Sequence, residues 1–323
     1  MSTDSAQERI VFEDNRLAPV LYGARNDHLH TIEESLGVHI VSRGNELTIS
    51  GPTTAVDQAR RVLESLWDKL TRGQDIDPHS VAAALRFLDE TTKDSTMTMD
   101  SADTKIVTRK KTIHPRGPLQ AQYIDSMRRH KMVFGIGPAG TGKTYLAVAQ
   151  AVAMMEEGEI ERIILSRPAV EAGERLGFLP GEMKEKMDPY MRPLYDSLHD
   201  AMAADKVQKK IAAEEIEIAP LAFMRGRTLN NAFVILDEAQ NASSMQMLMA
   251  LTRLGENARM VITGDPSQTD LPDGDKSGLP EAATILKGTE GIDFIHFTHK
   301  DVVRSPLVTK IIQAYDQYRK NNV

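Results

Sequence analysis

The residues best suited to chemistry in this chain form a glycine-rich run, GPAGTGKT, at positions 137–144. The run fits the pattern G-x-x-x-x-G-K-[ST], in which glycines let the backbone curl so that successive N–H groups point at one anion. We expect Lys143 to reach the terminal phosphates of a nucleotide as a point charge, and Thr144 to offer a hydroxyl to Mg²⁺. The predicted phosphate-binding residues are Gly137, Pro138, Ala139, Gly140, Thr141, Gly142, Lys143 and Thr144.

A pair of carboxylates follows a second apolar run, FVIL, at Asp237 and Glu238. Four apolar residues predict a buried strand that delivers both side chains to its carboxyl end, where an open α/β sheet places its ligands. Asp237 is predicted to share a Mg²⁺ shell with Thr144. Glu238 is predicted to polarise a water for attack on the terminal phosphate.

A third polar group follows the next apolar run, in the stretch VITGDPSQTDLP. Thr263, Asp265 and Gln268 would line the same crevice, and Gln268 is the predicted residue to orient water or sense the terminal phosphate. Gly-Asp-Pro is also good turn chemistry, so an ordinary strand-to-loop turn remains the alternative.

An arginine near the terminal phosphate would stabilise the charge of the transition state. Arg304, in the stretch DVVRSPLV, is the predicted residue for this role, either from the same chain or from a neighbouring one. Arg253 is a rival for the role, and a surface arginine in a salt bridge is the alternative for Arg304.

The elements that must position these side chains are strands separated by helical segments between residues 117 and 323. Near-continuous apolar runs predict strands buried on both faces, and therefore a parallel sheet covered by helices in an α/β fold. The five predicted strands are Met132–Ile136, Ile160–Leu165, Phe233–Leu236, Met260–Thr263 and Ile292–Phe297.

Residues 10–72 predict a separate small α+β unit. The stretch 18–37 is interpreted as strand, turn and helix, and a hairpin around Arg43-Gly44-Asn45 is followed by an amphipathic helix. The order resembles a KH-like domain, which clamps a nucleic-acid backbone with a GXXG loop. Because the loop here is GARN, with Asn26 at the fourth position, RNA binding and a structural or oligomerisation role both remain open.

Residues 73–116 are predicted to be a flexible linker with a basic end. A short helix is expected near residues 81–88, followed by a polar, acidic stretch. A solvated linker and an electrostatic contact to RNA phosphates are both open for the basic end. Its cations are Lys105, Arg109, Lys110, Lys111 and Arg116.

Composition sets the outer bounds. A chain of 323 residues favours two domains, and a net charge of −7 excludes a globally basic coat for nucleic acid. The absence of cysteine excludes disulfides and thiolate metal sites. The first ten residues lack an apolar signal core, and the chain has no apolar run of membrane-spanning length, so a cytoplasmic location is expected.

Five long blocks together resemble the PhoH-like proteins. They are GPAGTGKTYLAVAQAV, ILSRPAVEAGERLGFLPGEMKEKMDPYMRPLYDSL, FMRGRTLNNAFVILDEAQNAS, VITGDPSQTDLP and DVVRSPLV. The resemblance implies a bacterial, cytoplasmic P-loop ATPase that uses ATP and Mg²⁺, with a core like that of superfamily 1 helicases. In that comparison PLQAQYIDSM looks like the motif whose glutamine reads adenine, and either Gln120 or Gln122 is that residue. The family is associated with phosphate starvation, with RNA metabolism and with an endoribonuclease of ribosome maturation.

Superfamily 1 helicases place ATP between two such cores, whereas this chain has room for one core of about 200 residues. We therefore expect a homo-oligomer with ATP at subunit interfaces, closed into a ring, and the resemblance suggests a hexamer. Under this hypothesis Arg304 acts on a neighbouring subunit.

The insert between Arg167 and Arg227 is expected to lie on the rim of the nucleotide site, where it is placed to touch a substrate strand. Lys184, Lys186, Arg225 and Arg227 are candidates for contacts with single-stranded RNA, with a solvated charged face as the alternative. The leading functional hypothesis is ATP hydrolysis coupled to RNA binding or remodelling. The second is a nucleotide-gated adaptor that recruits an endoribonuclease without separating strands.

Overall fold

The computed structural model describes residues 5–91, 104–168, 183–272 and 274–303. The chain divides into two compact units. The smaller unit comprises Met1–Asp103 with Pro115–Pro118, and the larger comprises Thr104–His114 with Leu119–Val323.

The smaller unit is an antiparallel sheet backed by helices. Its elements are β1 (Ser5–Val11), α1 (Ala18–Tyr22), α2 (Asp27–Leu36), β2 (His39–Arg43), β3 (Glu46–Pro52), α3 (Thr53–Thr71) and α4 (Pro78–Thr91). The strand order is β1-β3-β2, with β3 antiparallel to both neighbours. Leu47 and Ile49 alternate along β3 with half-buried residues and pack with α3 in the core. The unit is therefore α+β, and it extends beyond the predicted bounds of 10–72 at both ends.

The apolar stretch at residues 18–22 is the helix α1, so its interpretation as a strand is wrong. Pro19 stands at the start of this helix, where its fixed φ is compatible with helical backbone. The buried residues Ala18, Leu21 and Tyr22 are spaced three and four apart, which is helical spacing. Short apolar runs of this length are ambiguous between helix and strand when only sequence is considered.

The GARN loop joins α1 to α2 in left-handed backbone. Arg25 has φ 55° and Asn26 has φ 64°. Asparagine tolerates this region better than other residues that carry a Cβ atom, so it can stand where the KH pattern has glycine. Gly23 has no such substitute, because a Cβ atom there would lie 2.7 Å from the His28 ring.

The larger unit contains a sheet of six parallel strands with helices on both faces. Its elements are β4 (Ile106–Val107), β5 (Thr112–Ile113), α5 (Pro118–Arg129), β6 (Met132–Ile136), α6 (Lys143–Glu157), β7 (Arg162–Arg167), α7 (Met183–Ala201), α8 (Ala204–Ala212), β8 (Ile216–Pro220), β9 (Ala232–Leu236), α9 (Ser244–Leu251), β10 (Arg259–Gly264), α10 (Gly278–Ile285) and β11 (Ile292–His296). The strand order is β11-β6-β10-β9-β7-β8. The predicted parallel α/β core is confirmed, and its five predicted strands are β6, β7, β9, β10 and β11.

The sixth strand, β8, was not predicted. It lies at the edge of the sheet beside β7, and the middle residues of its sequence IEIAP are only half-buried. Edge strands carry a weaker apolar signal than strands covered on both faces. The stretch therefore lacks the continuous apolar run by which the other five strands were predicted.

The core of the larger unit is two apolar layers, one on each face of the sheet. Val133 and Ile235 face the layer that contains α5, α6 and α7. Phe134 and Val234 face the opposite layer, which contains α9 and α10. Adjacent residues on one strand supply both layers because successive side chains point to opposite faces. Every residue of β6 and β9 is buried, so the two strands that deliver the glycine-rich loop and the carboxylates are held rigidly.

The predicted flexible linker at residues 73–116 is in part ordered. Helix α4 occupies Pro78–Thr91, and residues 92–103 lie outside the described residues. The basic end forms the hairpin β4–β5, with Ile106 and Ile113 buried in the core of the larger unit. Lys111 forms an ion pair with Asp200, and Lys110 donates to a carbonyl of α7. These two cations are bound within the unit because the hairpin buries its apolar residues against it.

In the part of the chain that the structure describes, no helix combines the length and the apolar character needed to cross a membrane.

Replacing Phe134 by alanine is expected to lower the free energy of unfolding by about 3–5 kcal/mol. Phe134 is fully buried, and its ring stacks on Phe294 at 4.7 Å, so the substitution leaves a cavity beside the central strand. Urea unfolding followed by circular dichroism measures the effect. Met245→Ala is the control, because Met245 is 81% exposed and its removal should change stability by no more than about 0.5 kcal/mol. Equal effects of the two substitutions would contradict the assignment of this layer as the core.

Candidate active site

The glycine-rich loop curls between β6 and α6 through three glycines with positive φ, Gly137, Gly140 and Gly142. At Gly137 a Cβ atom would lie 2.3 Å from the carbonyl oxygen of Phe297. That contact leaves no room for a side chain, so only glycine fits this position. The loop therefore wraps tightly around the start of α6, as the sequence pattern requires.

Lys143 lies inside the concavity of this loop. Its Nζ donates to the carbonyl oxygens of Gly137 and Pro138, both at 2.7 Å, and is 3.3 Å from Oγ1 of Thr141. Burial lowers the pKa of Lys143, and the carboxylates of Asp265, Glu238 and Asp237 act in the opposite direction. A positive charge is thus positioned where the backbone N–H groups of the loop also attract an anion.

Asp237 is the centre of a buried network. Its side chain is 2% exposed. Oδ1 accepts hydrogen bonds from the hydroxyls of Thr144 and Thr263, each at 2.6 Å. Oδ2 accepts from Nε of Arg167 at 2.8 Å and is also 2.8 Å from Nη2 of the same guanidinium. The carboxyl ends of β7, β9 and β10 and the start of α6 therefore meet at one carboxylate.

Glu238, the next residue, lies in a different environment. Its backbone is left-handed with φ 53°, and its side chain is 45% exposed. Oε1 is 3.2 Å from Nη2 of Arg167, and Oε2 accepts from Nε2 of Gln240 at 2.6 Å. The carboxylate is held by an arginine and an amide while it stays open to water. That combination suits a general base.

Gln240 connects Glu238 to the loop after β10. Its Nε2 also donates to the carbonyl oxygen of Gln268 at 3.2 Å, and its Oε1 accepts from the backbone N–H of Asp265 at 3.0 Å. Asp265 is 7% exposed, and its Oδ2 has no hydrogen-bond partner among the described residues. The side chain of Gln268 is exposed, and its carbonyl oxygen is the group that contacts Gln240.

The two glutamines considered for nucleobase recognition differ in their surroundings. Gln120 is 5% exposed, and its Nε2 donates to the carbonyl oxygen of Thr141 at 2.8 Å. Gln122 is exposed on the same helix, α5. Gln120 is thus the glutamine that contacts the glycine-rich loop.

Arg225, Arg227 and Arg253, among the predicted cations that the structure describes, form no hydrogen bond or ion pair with Asp237 or Glu238. Arg304 lies outside the described residues, as do the side chains of Lys184 and Lys186. Arg253 donates to the carbonyl oxygens of Met249 and Arg227. Arg227 forms an ion pair with Glu217, whereas Arg225 is exposed.

Arg167 is the functional residue that sequence reasoning missed. It ends β7, and besides both carboxylates it donates from Nη1 to the carbonyl oxygen of Tyr190 on α7 at 2.7 Å. A signal was present, because the stretch RIILSR places a polar residue directly after an apolar run, as FVILDE does. The same strand-end position that identified Asp237 could have identified Arg167.

The oxygens around Asp237 fit a hard divalent cation. The hydroxyl oxygens of Thr144 and Thr263 each lie 2.6 Å from Oδ1 of Asp237. Magnesium binds protein through one or two carboxylates together with substrate phosphates and water. Asp237 and Thr144 are the residues that would hold it.

Comparisons with known proteins identify the family of this chain. The family model described as PhoH-like protein matches residues 112–316. A PhoH-like protein of Bacillus subtilis is 48% identical over 297 residues, which is 92% of this chain and 93% of the relative. A PhoH-like protein of Mycobacterium tuberculosis is 46% identical, over 93% of this chain and 85% of the relative. One of Synechocystis is 43% identical, over 93% of this chain and 92% of the relative.

Among solved structures, the SWI2/SNF2 ATPase core of Sulfolobus solfataricus in complex with double-stranded DNA is 16% identical. The match covers 56% of this chain and 44% of that one, with a TM-score of 0.32. A likeness this remote identifies neither fold nor function. The family match and the relatives are sufficient without it. The chain belongs to the PhoH-like proteins and has their P-loop nucleotide-binding fold.

Proposed function

We propose that this protein hydrolyses ATP with Mg²⁺. The observation that carries the proposal is the pairing of a buried carboxylate, Asp237, with an accessible one, Glu238, beside the ammonium group of Lys143. One carboxylate is enclosed with hydroxyl oxygens, as a metal ligand requires. The other faces water, as a base requires.

Different residues of the site have different roles in the proposed hydrolysis. Lys143 and the loop N–H groups bind the terminal phosphates, while Asp237 and Thr144 hold the cation, which neutralises phosphate charge when bound. Glu238 accepts a proton from a water molecule as the water oxygen attacks the terminal phosphorus. The bond between that phosphorus and the bridging oxygen breaks, and ADP and phosphate leave. Gln120 is the proposed nucleobase contact, because it lies against the loop at Thr141.

We propose further that the protein works as a homo-oligomeric ring, a hexamer by family resemblance, and couples hydrolysis to single-stranded RNA. Support comes from the exposed cations Arg25, in the GARN loop, and Arg225. In the ring, Arg304 supplies transition-state stabilisation to a neighbouring subunit.

A nucleotide-gated adaptor for an endoribonuclease is the second candidate function. The bond from Arg167 to the Tyr190 carbonyl favours it, because it joins both site carboxylates to helix α7. A change at the carboxylates on nucleotide binding would thereby reach the surface of α7.

Glu238→Gln is expected to reduce ATP turnover by about 10²–10⁴-fold, the usual contribution of a general base, while ATP affinity is retained. The amide keeps the shape of the side chain but cannot accept the proton. Phosphate release and equilibrium binding of a fluorescent ATP analogue measure the two quantities. Glu290→Gln is the matched control at an exposed position away from the cluster. Turnover that persists in Glu238→Gln would remove Glu238 as the base.

Mixing Arg304→Ala chains with Lys143→Ala chains is expected to restore part of the hydrolysis that each lacks alone. In a mixed ring, some interfaces combine an intact P-loop from one chain with an intact Arg304 from the other. Phosphate release from the mixture measures the rescue, and native mass spectrometry confirms mixed assembly. Mixed oligomers without rescue would show that Arg304 does not act across an interface.

Single-stranded RNA is expected to raise the ATPase rate at saturating ATP if RNA is the substrate. Rates measured with a panel of RNAs and with double-stranded DNA test this, and Glu238→Gln serves as the inactive control. An ATPase rate that no RNA changes, together with nucleotide-dependent capture of a ribonuclease, would favour the adaptor function instead.

A further inference from the structure

A cavity lies at the far end of helix α6 from the P-loop. It has a volume of about 340 Å³ and is lined by the hairpin strand β4, the end of α5, the second half of α6 and the first residue of β10. This volume is within the range of small-molecule sites. Helix α6 has 15 residues, so its two ends are separated by about 20 Å at 1.5 Å per residue. The cavity is therefore distinct from the nucleotide site around Asp237.

Three cations line this cavity, and among the described residues the one carboxylate within ion-pair distance of any of them is that of Asp125, 3.9 Å from Arg128. Lys105 has no side-chain partner among the described residues. Arg259 donates through Nη1 to the carbonyl oxygens of Met127 and His130. Arg128 donates through Nη2 to a carbonyl oxygen, and its Nη1 stays 3.9 Å from the carboxylate of Asp125. Lys105 and Arg259 form no ion pair among the described residues, and convergent cations in a concave surface attract an anion.

A buried amide in the cavity wall lacks a hydrogen-bond donor that a ligand could supply. Gln150 lines it and is 3% exposed, yet its Oε1 has no hydrogen-bond partner among the described residues. Buried polar side chains are almost always hydrogen-bonded, so a ligand that brings a donor would satisfy this one. An amide side chain also matches the paired donor and acceptor on the edge of a nucleobase.

The remaining lining residues are partly apolar and partly charged, which suits a ligand that has both a ring and a charged group. Val107, Ala153 and Met154 supply apolar surface for a ring face. Glu157 and Glu159 also line the cavity, so they limit the negative charge of a ligand that it accepts, and they can take hydrogen bonds from hydroxyl groups. Together with the three cations they leave a formal charge of about +1.

We propose that this cavity is a second nucleotide site, which binds a nucleoside monophosphate or the equivalent unit of an RNA strand. Lys105, Arg128 and Arg259 bind the phosphate, and Gln150 pairs with the base edge. The site is independent of the proposed hydrolysis, since it shares no residue with the cluster around Asp237.

Binding of AMP, GMP, CMP and UMP to full-length Lys143→Ala protein tests the proposal by isothermal titration calorimetry. The Lys143→Ala background removes the contribution of the P-loop. We expect one mononucleotide per chain, bound at least tenfold more tightly than either inorganic phosphate or the free nucleoside. Lys105→Glu and Gln150→Met are each expected to weaken binding at least tenfold. Lys131→Glu, the same charge reversal at an exposed lysine outside the cavity, should leave it unchanged.

The outcomes separate the possibilities. A short single-stranded RNA that competes with AMP and binds more tightly identifies a strand as the source of the nucleotide unit, and AMP alone identifies a free metabolite. Absence of saturable binding by all of these probes overturns the proposal, as does binding that the two cavity substitutions do not affect. Phosphate that binds as well as AMP overturns the role of Gln150. If Gln150→Met fails to fold, Lys105→Glu still tests the site. Lys105 is exposed, so its substitution should leave the fold intact. Turnover of ATP, measured separately, tests the proposed ATPase and not this site.

Discussion

The larger unit depends on satisfying the hydrogen-bonding oxygens of one buried carboxylate. Asp237 is 2% exposed, and an isolated carboxylate at that depth would be costly without compensation. Two hydroxyls and one guanidinium provide it, and they come from α6, β10 and β7. Because these partners are 26 to 93 residues away from Asp237 along the chain, satisfying this one group requires that all three elements meet at one point.

The parallel sheet makes that meeting possible. All six strands run in the same direction, so their carboxyl ends share one edge. The P-loop follows β6, Arg167 ends β7, Asp237 follows β9 and Thr263 lies near the end of β10. β10 lies between β6 and β9, and Thr263 on β10 donates to Asp237 after β9. The chemistry of the site is thus a consequence of strand order, and the helices on both faces hold that order through the two apolar layers.

Sequence reasoning predicted what is local and missed what depends on distant partners. The P-loop and the Asp-Glu pair were recognisable, because glycines and an apolar tetrad act within a few residues. The role of Arg167 was not, since its carboxylate partners lie 70 and 71 residues further along the chain. Strand β8 escaped because an edge strand needs little apolar sequence, and α1 was mistaken for a strand because five apolar residues suit either structure. The hairpin β4–β5 was interpreted as a linker, because it is ordered by contacts with α7. Those contacts cannot be recognised from the sequence of the hairpin alone.

Asp237 and Glu238 can have different roles because the backbone changes conformation at Glu238, directly after the end of β9. Asp237 still continues the direction of β9 and is enclosed, whereas Glu238 turns into left-handed backbone at φ 53° and its side chain is 45% exposed. A non-glycine residue in that conformation is strained, and such strain persists only where surrounding contacts hold it. The contacts from Arg167 and Gln240 supply that restraint at opposite oxygens of the same carboxylate. Arg167 also contacts Asp237, so one guanidinium sets the separation between the enclosed carboxylate and the accessible one, and it connects that separation to α7 through Tyr190.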